Sequence, residues 1–149
     1  MTYAQDMPTA ADTALASDLR MSVMRLARRL RQQRTDSALS ITQLAALATL
    51  DRHGPLTPSE LAGHERVQPP SITRVVASLE AAGMVTRTDH PTDGRQVLLA
   101  PSPAGRDLLK ADRRRRDAWL AQRLRTLDPA DVEVLRRAAD VLDRLGSGG

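Results

Sequence analysis

Apolar residues recur at helical spacing over most of the chain. The first stripe has gaps of three or four residues and predicts a helix over residues 13–34. Its members are Leu15, Leu19, Val23, Leu26 and Leu30. Residues 1–12 are small and polar, so we expect a flexible tail there.

Three further helices are predicted before residue 83, over residues 40–53, 58–66 and 69–82. Ser40 and Thr57 each precede a Gln or Glu by three residues, which is the capping-box spacing at a helix start. Pro69-Pro70 suits the first turn of the third of these helices, and Gly83 suits its end.

The periodicity changes after Gly83. Residues 84–88 and 97–100 predict two short strands, and Asp93-Gly94 between them favours a reversing turn. A long helix follows over residues 103–127 and another over 129–145, with a frayed end at 146–149. The predicted fold is mainly α with one small β-hairpin.

Composition limits the chemistry of the chain. The 149 residues fit one domain, or one domain with a helical appendage, and the absence of cysteine excludes disulfides and thiolate metal sites. The 22 basic and 18 acidic residues give a net charge of +4, which permits a nucleic-acid partner without proving one. No apolar stretch is long enough to span a membrane and no secretion signal is present, so we expect a cytoplasmic protein.

One acidic side chain and one histidine have a spacing that metal sites use. Glu60 and His64 are four residues apart, but an exposed histidine is the favoured interpretation. No phosphate loop, nucleophile elbow or dinucleotide glycine pattern occurs. We therefore predict no metal, no cofactor and no enzymatic activity.

Between residues 57 and 101 the predicted elements are a helix, a turn, a helix and a hairpin. This is the order found in a winged helix-turn-helix. The second helix of such a pair enters the DNA major groove through its N-terminal residues. The predicted contacts are Gln68, Pro69, Pro70, Ser71, Thr73 and Arg74. Arginine commonly reads guanine, and hydroxyl groups bind phosphates or bases. The alternative is a polar helix face that meets only water.

The hairpin loop is the second candidate DNA contact. Arg95 on a narrow loop is suited to the negative potential of a minor groove. We expect Asp93 to fix the loop by accepting hydrogen bonds from Arg95 or from backbone N–H groups. Arg87 is expected either to pair with Asp93 or to contact phosphate. The alternative is a plain turn with a solvated arginine.

Three motifs together resemble the MarR family of bacterial transcriptional regulators. They are Gly83-Met84-Val85-x-Arg87, Asp93-x-Arg95 and Ser102-Pro103-x-Gly105-Arg106. The segment from Pro70 to Glu80 is similar to the recognition helix of that family. The resemblance covers about residues 13–145. Pro101 departs from it, since the family commonly has Leu there, and this can change how the second strand ends.

The resemblance implies a homodimer on a palindromic DNA operator. Residues 13–34 with 103–145 would form the helical dimerisation region, and 40–101 the winged helix-turn-helix domain. It also implies repression that is relieved by a small phenolic or anionic effector. The candidate effector contacts are Arg29, Leu30, Leu47, His53 and Trp119.

A second hypothesis belongs to another functional class. Winged domains also serve as protein-interaction modules or as architectural DNA-binding proteins without sequence choice. The Asp93-x-Arg95 loop and the polar helix at 69–82 favour sequence-specific binding. Competition with random DNA separates the two hypotheses.

Overall fold

The computed structural model describes residues 7–34 and 39–148. Within these ranges the chain forms six helices and two strands. Their bounds are α1 Ala10–Gln32, α2 Ile41–His53, α3 Pro58–Glu65, α4 Pro69–Ala81, β1 Val85–Asp89, β2 Val97–Pro101, α5 Pro103–Leu124 and α6 Pro129–Ser147. The predicted class, mainly α with a small β-hairpin, is confirmed. Among the helices described, none is both long and apolar enough to cross a membrane.

The described residues divide into two compact units. The winged unit comprises residues 33–34 and 39–115, and the helical unit comprises residues 7–32 and 116–148. The boundary between the two units thus falls inside α5, whereas the sequence predicts a boundary before residue 103. Leu109 of α5 lies in the buried core that the winged unit forms, and Arg113 donates to Asp51 of α2 at 2.8 Å. These contacts hold the first half of α5 in the winged unit.

Leucine side chains fill the core of the winged unit. Leu47, Leu50, Leu61, Leu79 and Leu99 are its largest fully buried side chains, and they come from α2, α3, α4 and β2. Burial of this kind stabilises each of them by about 2 kcal/mol relative to the exposed state. The core therefore fixes the positions of both α4 and the hairpin.

The hairpin is antiparallel and is anchored at its base. Val85 pairs with Pro101 at one end and Asp89 with Val97 at the other. Leu56, before α3, exchanges backbone hydrogen bonds of 3.1 and 2.7 Å with Leu99. Pro101 still ends β2 in register. Wing, below, means β1, β2 and the loop of residues 90–96 between them.

A left-handed residue follows each helix of the helix-turn-helix. Arg66 has φ 54° after α3, and the following N–H, of Val67, donates to the Ala62 carbonyl at 3.1 Å. Gly83 has φ 73° after α4, and the N–H of Met84 donates to the Leu79 carbonyl at 2.9 Å. Both arrangements satisfy the last carbonyls of a helix while reversing the chain.

The ends of the helical unit differ from the predictions. α1 begins at Ala10 instead of residue 13, because Thr9 caps it: the Asp12 N–H donates to the Thr9 hydroxyl at 3.1 Å, and the Thr9 N–H to the Asp12 carboxylate at 2.9 Å. Hydrogen bonds from the Thr9 backbone and hydroxyl hold the pKa of Asp12 below its ordinary value. α1 thus begins inside the predicted tail 1–12, of which residues 1–6 lie outside the described range. α6 continues to Ser147, inside the predicted frayed end 146–149, of which residue 149 lies outside that range.

Candidate nucleic-acid interface

The first turns of α4 present a polar face to solvent. All six predicted contacts on this segment are exposed, namely Gln68, Pro69, Pro70, Ser71, Thr73 and Arg74. Ile72 and Val76 turn the opposite way and are buried. The two prolines lack N–H groups, so the helix start leaves fewer donors unsatisfied. The amphipathic pattern therefore orients the hydroxyls and the Arg74 guanidinium outward together.

The two hydroxyl groups on this face are in different states. The Thr73 hydroxyl donates to the Pro69 carbonyl at 2.9 Å, so its oxygen remains available as an acceptor. Phosphate oxygens only accept hydrogen bonds, whereas base amino groups donate them. Thr73 in this rotamer is suited to a base amino group, and Ser71 is the better candidate for a phosphate.

The wing loop fixes an exposed arginine. The Asp93 carboxylate accepts the Arg95 N–H at 3.1 Å and lies 3.8 Å from the Arg95 Nε. The Asp93 carbonyl accepts the Gln96 N–H at 3.0 Å, which closes the turn. The predicted structural role of Asp93 is thus confirmed, and the Arg95 side chain is 96% exposed.

Arg87 does not pair with Asp93. Its guanidinium lies 2.5 Å from a carboxylate oxygen of Glu80, in the last turn of α4. Arg87 lies in the middle of β1, opposite Leu99, and α4 packs against that strand. The pairing depends on the contact between α4 and β1, which is why the sequence did not indicate it. Glu80 offsets the Arg87 charge, so Arg74 and Arg95 are the candidate cations for DNA.

Two of the five effector candidates contact one another. Trp119, half-buried, stacks with Arg29, whose guanidinium carbon is 5.4 Å from the ring centroid. Arg123 approaches the same ring at 5.1 Å. A cleft of about 290 Å³ surrounds them, lined by Ser22, Arg25, Leu26, Arg29, Trp119 and Arg123. Arg25 and Arg123 were missed, although each lies four residues from a predicted contact on the same helix.

The other three candidates lie elsewhere. Leu30 is half-buried in the helical unit and does not line the cleft. Leu47 belongs to the winged unit and has no exposed surface, so it is a core residue. His53 stacks on His64 with the ring centroids 4.1 Å apart. The prediction of Leu47 as a ligand contact is corrected, because packing in the core occupies its whole side chain.

The Glu60 carboxylate serves as a helix cap. It accepts the Thr57 N–H at 3.1 Å, and the Thr57 hydroxyl accepts the Glu60 N–H at 3.2 Å. Hydrogen bonds from the Thr57 backbone and hydroxyl hold the pKa of Glu60 below its ordinary value of 4.5, and nearby His90 and His64 lower it further. Over residues 7–34 and 39–148, no three His, Asp or Glu side chains gather to hold a metal ion.

Comparison with known proteins decides the family. The model of the MarR family matches residues 39–97. An HTH-type transcriptional regulator of Mycobacterium tuberculosis is 52% identical over 132 residues, covering 89% of this chain and 92% of that protein. This chain belongs to the MarR family. It is therefore a DNA-binding transcriptional regulator and not an enzyme.

Solved structures agree with this MarR assignment. A Pseudomonas aeruginosa protein assigned as a transcriptional regulator is 33% identical and has a TM-score of 0.83 over 95% of this chain and 100% of its own. A mutant of Staphylococcus aureus MepR bound to an oligodeoxyribonucleotide is 18% identical, with a TM-score of 0.67 over 89% of this chain and 96% of its own. The second similarity shows the fold alone.

Proposed function

We propose that this MarR protein is a homodimeric repressor that binds a palindromic operator. The observation that carries the proposal is the exposed polar start of α4 together with a wing that fixes the exposed Arg95. α4 would read the major groove and the wing the adjacent minor groove. The oligodeoxyribonucleotide-bound MepR structure supports the compatibility of this fold with bound DNA.

Uncovered apolar side chains in the helical unit support the dimer. Of the residues that α1 and α6 contribute, none is buried. Leu15, Met24, Val134, Val141 and Leu145 are each more than half exposed. A groove of about 570 Å³ between α1 and α6 is lined mostly by apolar side chains. Exposed apolar patches of this extent mark interaction sites. A second copy would cover them by isologous pairing.

Two-fold symmetry then determines the form of the operator. A dimer carries two copies of α4 related by the symmetry axis, so each reads the same bases on opposite strands. The half-sites should lie about one helical turn of DNA apart. Arg74 would contact a base edge, Ser71 a phosphate, and Arg95 the minor groove.

The arginine-rich cleft around Trp119 supports an anionic effector. Arg25, Arg29 and Arg123 supply positive charge, and the indole ring supplies an apolar surface. An effector relieves repression only if it binds more tightly to a dimer conformation that does not fit DNA than to the conformation that does. Its binding should therefore weaken on Arg123→Ala substitution, while operator affinity without effector stays unchanged.

The test of the proposal is selection from a pool of random duplexes at physiological salt. A palindrome that retains the protein against an excess of random DNA supports the sequence-specific dimer. Binding that the excess abolishes, with a steep salt dependence, favours the architectural alternative. A reporter placed downstream of the recovered sequence then tests repression: expression should fall when the protein is present.

A further inference from the structure

A single histidine caps the wing loop from within. His90 follows β1 directly and is half-buried. Its ring Nδ1 accepts the backbone N–H of Thr92 at 3.2 Å and that of Asp93 at 3.1 Å. The backbone N–H of His90 donates to the Gln96 carbonyl at 3.2 Å. The His90 side chain therefore satisfies two donors at the start of the loop, while its backbone closes the loop at the base.

The contacts continue from His90 to Arg95. The ring nitrogen fixes the backbone of Asp93, whose carboxylate accepts the Arg95 N–H at 3.1 Å. The Asp93 carbonyl accepts the Gln96 N–H at 3.0 Å. The conformation that presents Arg95 thus depends on a lone pair of the imidazole.

That lone pair exists in only one charge state of the ring. A neutral histidine that accepts at Nδ1 carries its proton at Nε2, whereas a protonated histidine has an N–H at both nitrogens. Protonation would place a third N–H against the two backbone donors and remove both hydrogen bonds. Histidine changes charge between about pH 5 and pH 8, within the range that cells experience.

The charged groups near His90 come from α3, from β1 and from the wing loop itself. Glu60, on α3, is close enough for the His90 charge to lower the pKa of that carboxyl. Asp89 precedes His90 in β1, and Asp93 and Arg95 follow it in the loop. The other two histidines, His53 and His64, stack on each other. His64 also acts on Glu60. Glu60 is therefore the charged group outside the wing that interacts with His90.

We propose that His90 is a positioning residue of the wing, and that its protonation releases the loop that carries Arg95 and so weakens DNA binding. The proposal rests on the proposed DNA contact of the wing. It predicts a regulator that holds its operator at neutral and mildly alkaline pH and releases it on acidification.

Operator affinity measured with three full-length proteins at two pH values tests this proposal. The wild type should bind about tenfold more weakly at about pH 5.5 than at about pH 8, as expected from the loss of two hydrogen bonds. His90→Asn keeps an amide oxygen that can accept from the same N–H groups but does not titrate. It should bind at both pH values as the wild type does at the higher one. His90→Ala should bind about tenfold more weakly at both.

Two further variants separate His90 from its neighbours. Glu60→Gln keeps a helix-capping side chain but removes the carboxylate charge that interacts with His90. It should shift the midpoint of the pH dependence to lower pH. His64→Gln leaves the cap intact and should keep the pH dependence of the wild type. Loss of the pH dependence in His64→Gln would assign the effect to His64 instead of His90 and would overturn the proposal.

A measurement without DNA keeps this proposal separate from the proposed function. The amide NMR signals of Thr92 and Asp93 should shift with pH in the free wild-type protein, and should stay constant in His90→Asn. If these signals titrate but no duplex is bound specifically at about pH 8, the DNA-binding role fails while the cap stands. Two results would overturn the role of His90. One is that the Thr92 and Asp93 amide signals do not change with pH, and the other is that His90→Ala binds the operator as tightly as the wild type at about pH 8.

Discussion

The Arg87 guanidinium lies 2.5 Å from the Glu80 carboxylate, and this ion pair joins the last turn of α4 to the first strand of the wing. The two elements that we propose to contact DNA are thus linked by charge as well as by the apolar core. The Glu80 side chain is 33% exposed and that of Arg87 49% exposed. At such exposure an ion pair contributes about 0.2–1 kcal/mol to stability.

Glu80→Gln should therefore strengthen DNA binding without unfolding the protein. The substitution removes an anion near the duplex and releases Arg87 to neutralise a phosphate. Affinity for any duplex should rise, and the slope of its logarithm against the logarithm of salt should steepen by about one per subunit. Urea unfolding should change by less than about 1 kcal/mol. Glu133→Gln, in an exposed pair on α6, is the matched control.

Arg74→Ala should reduce discrimination between sequences. A side chain that binds a base edge contributes about 1–3 kcal/mol of selectivity at that base pair. The variant should therefore bind the selected operator and its single-base variants with more similar affinity. Competition binding measures this difference. Unchanged selectivity at every position of the half-site would exclude Arg74 as a base contact.

Arg95→Ala should weaken binding to all sequences alike. An arginine in the minor groove responds to the negative potential of the DNA, so its loss should also reduce the salt slope by about one per subunit. Arg136→Ala removes an exposed arginine of α6 and serves as the control. A salt slope that matches the wild type would contradict the placement of Arg95 against DNA.

Gly105 occupies a position where no side chain fits. A Cβ built on it would lie 2.2 Å from the Met84 carbonyl oxygen. The Ser102 hydroxyl donates to the Gly83 carbonyl at 2.6 Å and accepts the Gly105 N–H at 3.0 Å, so the backbone there has little freedom to move. Gly105→Ala should destabilise the protein by about 1–3 kcal/mol in urea unfolding.

Gly63 provides the matched substitution. It lies inside α3, and a Cβ there would meet nothing within 4 Å. Gly63→Ala should stabilise the protein by about 0.5–1 kcal/mol, because alanine loses less backbone entropy in a helix. Equal effects of the two substitutions would contradict the close approach at Gly105.

The Glu60 cap predicts a pH dependence of stability. Hydrogen bonds from Thr57 lower the folded-state pKa of Glu60 below 4.5, so the folded protein favours the carboxylate. The contribution of this cap to the free energy of unfolding is fully present above the pKa of Glu60 in the unfolded chain. It is lost as the pH falls through the pKa of Glu60 in the folded protein. The melting temperature of the wild type should exceed that of Glu60→Gln at neutral pH, and the difference should shrink below about pH 4.5.

The sequence predicted elements whose signals are local. The capping boxes at Ser40 and Thr57 and the glycine after α4 mark helix ends, and the structure contains them where expected. The same rules missed the Thr9 cap of α1, since Asp at the third helical position is a weaker signal than Glu or Gln. The hydrogen bond that Asp93 accepts from the Arg95 N–H was also predictable from local rules.

Features that depend on packing between elements were out of reach. The Glu80 partner of Arg87 follows from the contact of α4 with β1, which no spacing in the chain reveals. The division of α5 between two units follows from Leu109 and Arg113, whose partners lie far away in sequence. His90 was overlooked because a histidine ring seldom takes the capping role that Asn, Asp and Ser usually fill.

The chain has no cysteine, so a substituted cysteine can carry a DNA-cleaving reagent at one known position. Ser71 is exposed near the start of α4, and Gly94 is exposed at the wing turn with open space for a side chain. Ser71→Cys and Gly94→Cys would each be labelled, bound to the selected operator, and mapped by the cuts they make. The wild type, which has no thiol to label, is the matched control.

We expect the Ser71 label to cut within each half-site of the palindrome. The Gly94 label should cut in the flanking minor grooves, in a pattern symmetrical about the two-fold axis. Labelled proteins that bind the operator yet leave it cut no more than the wild type does would contradict the placement of α4 and the wing on DNA.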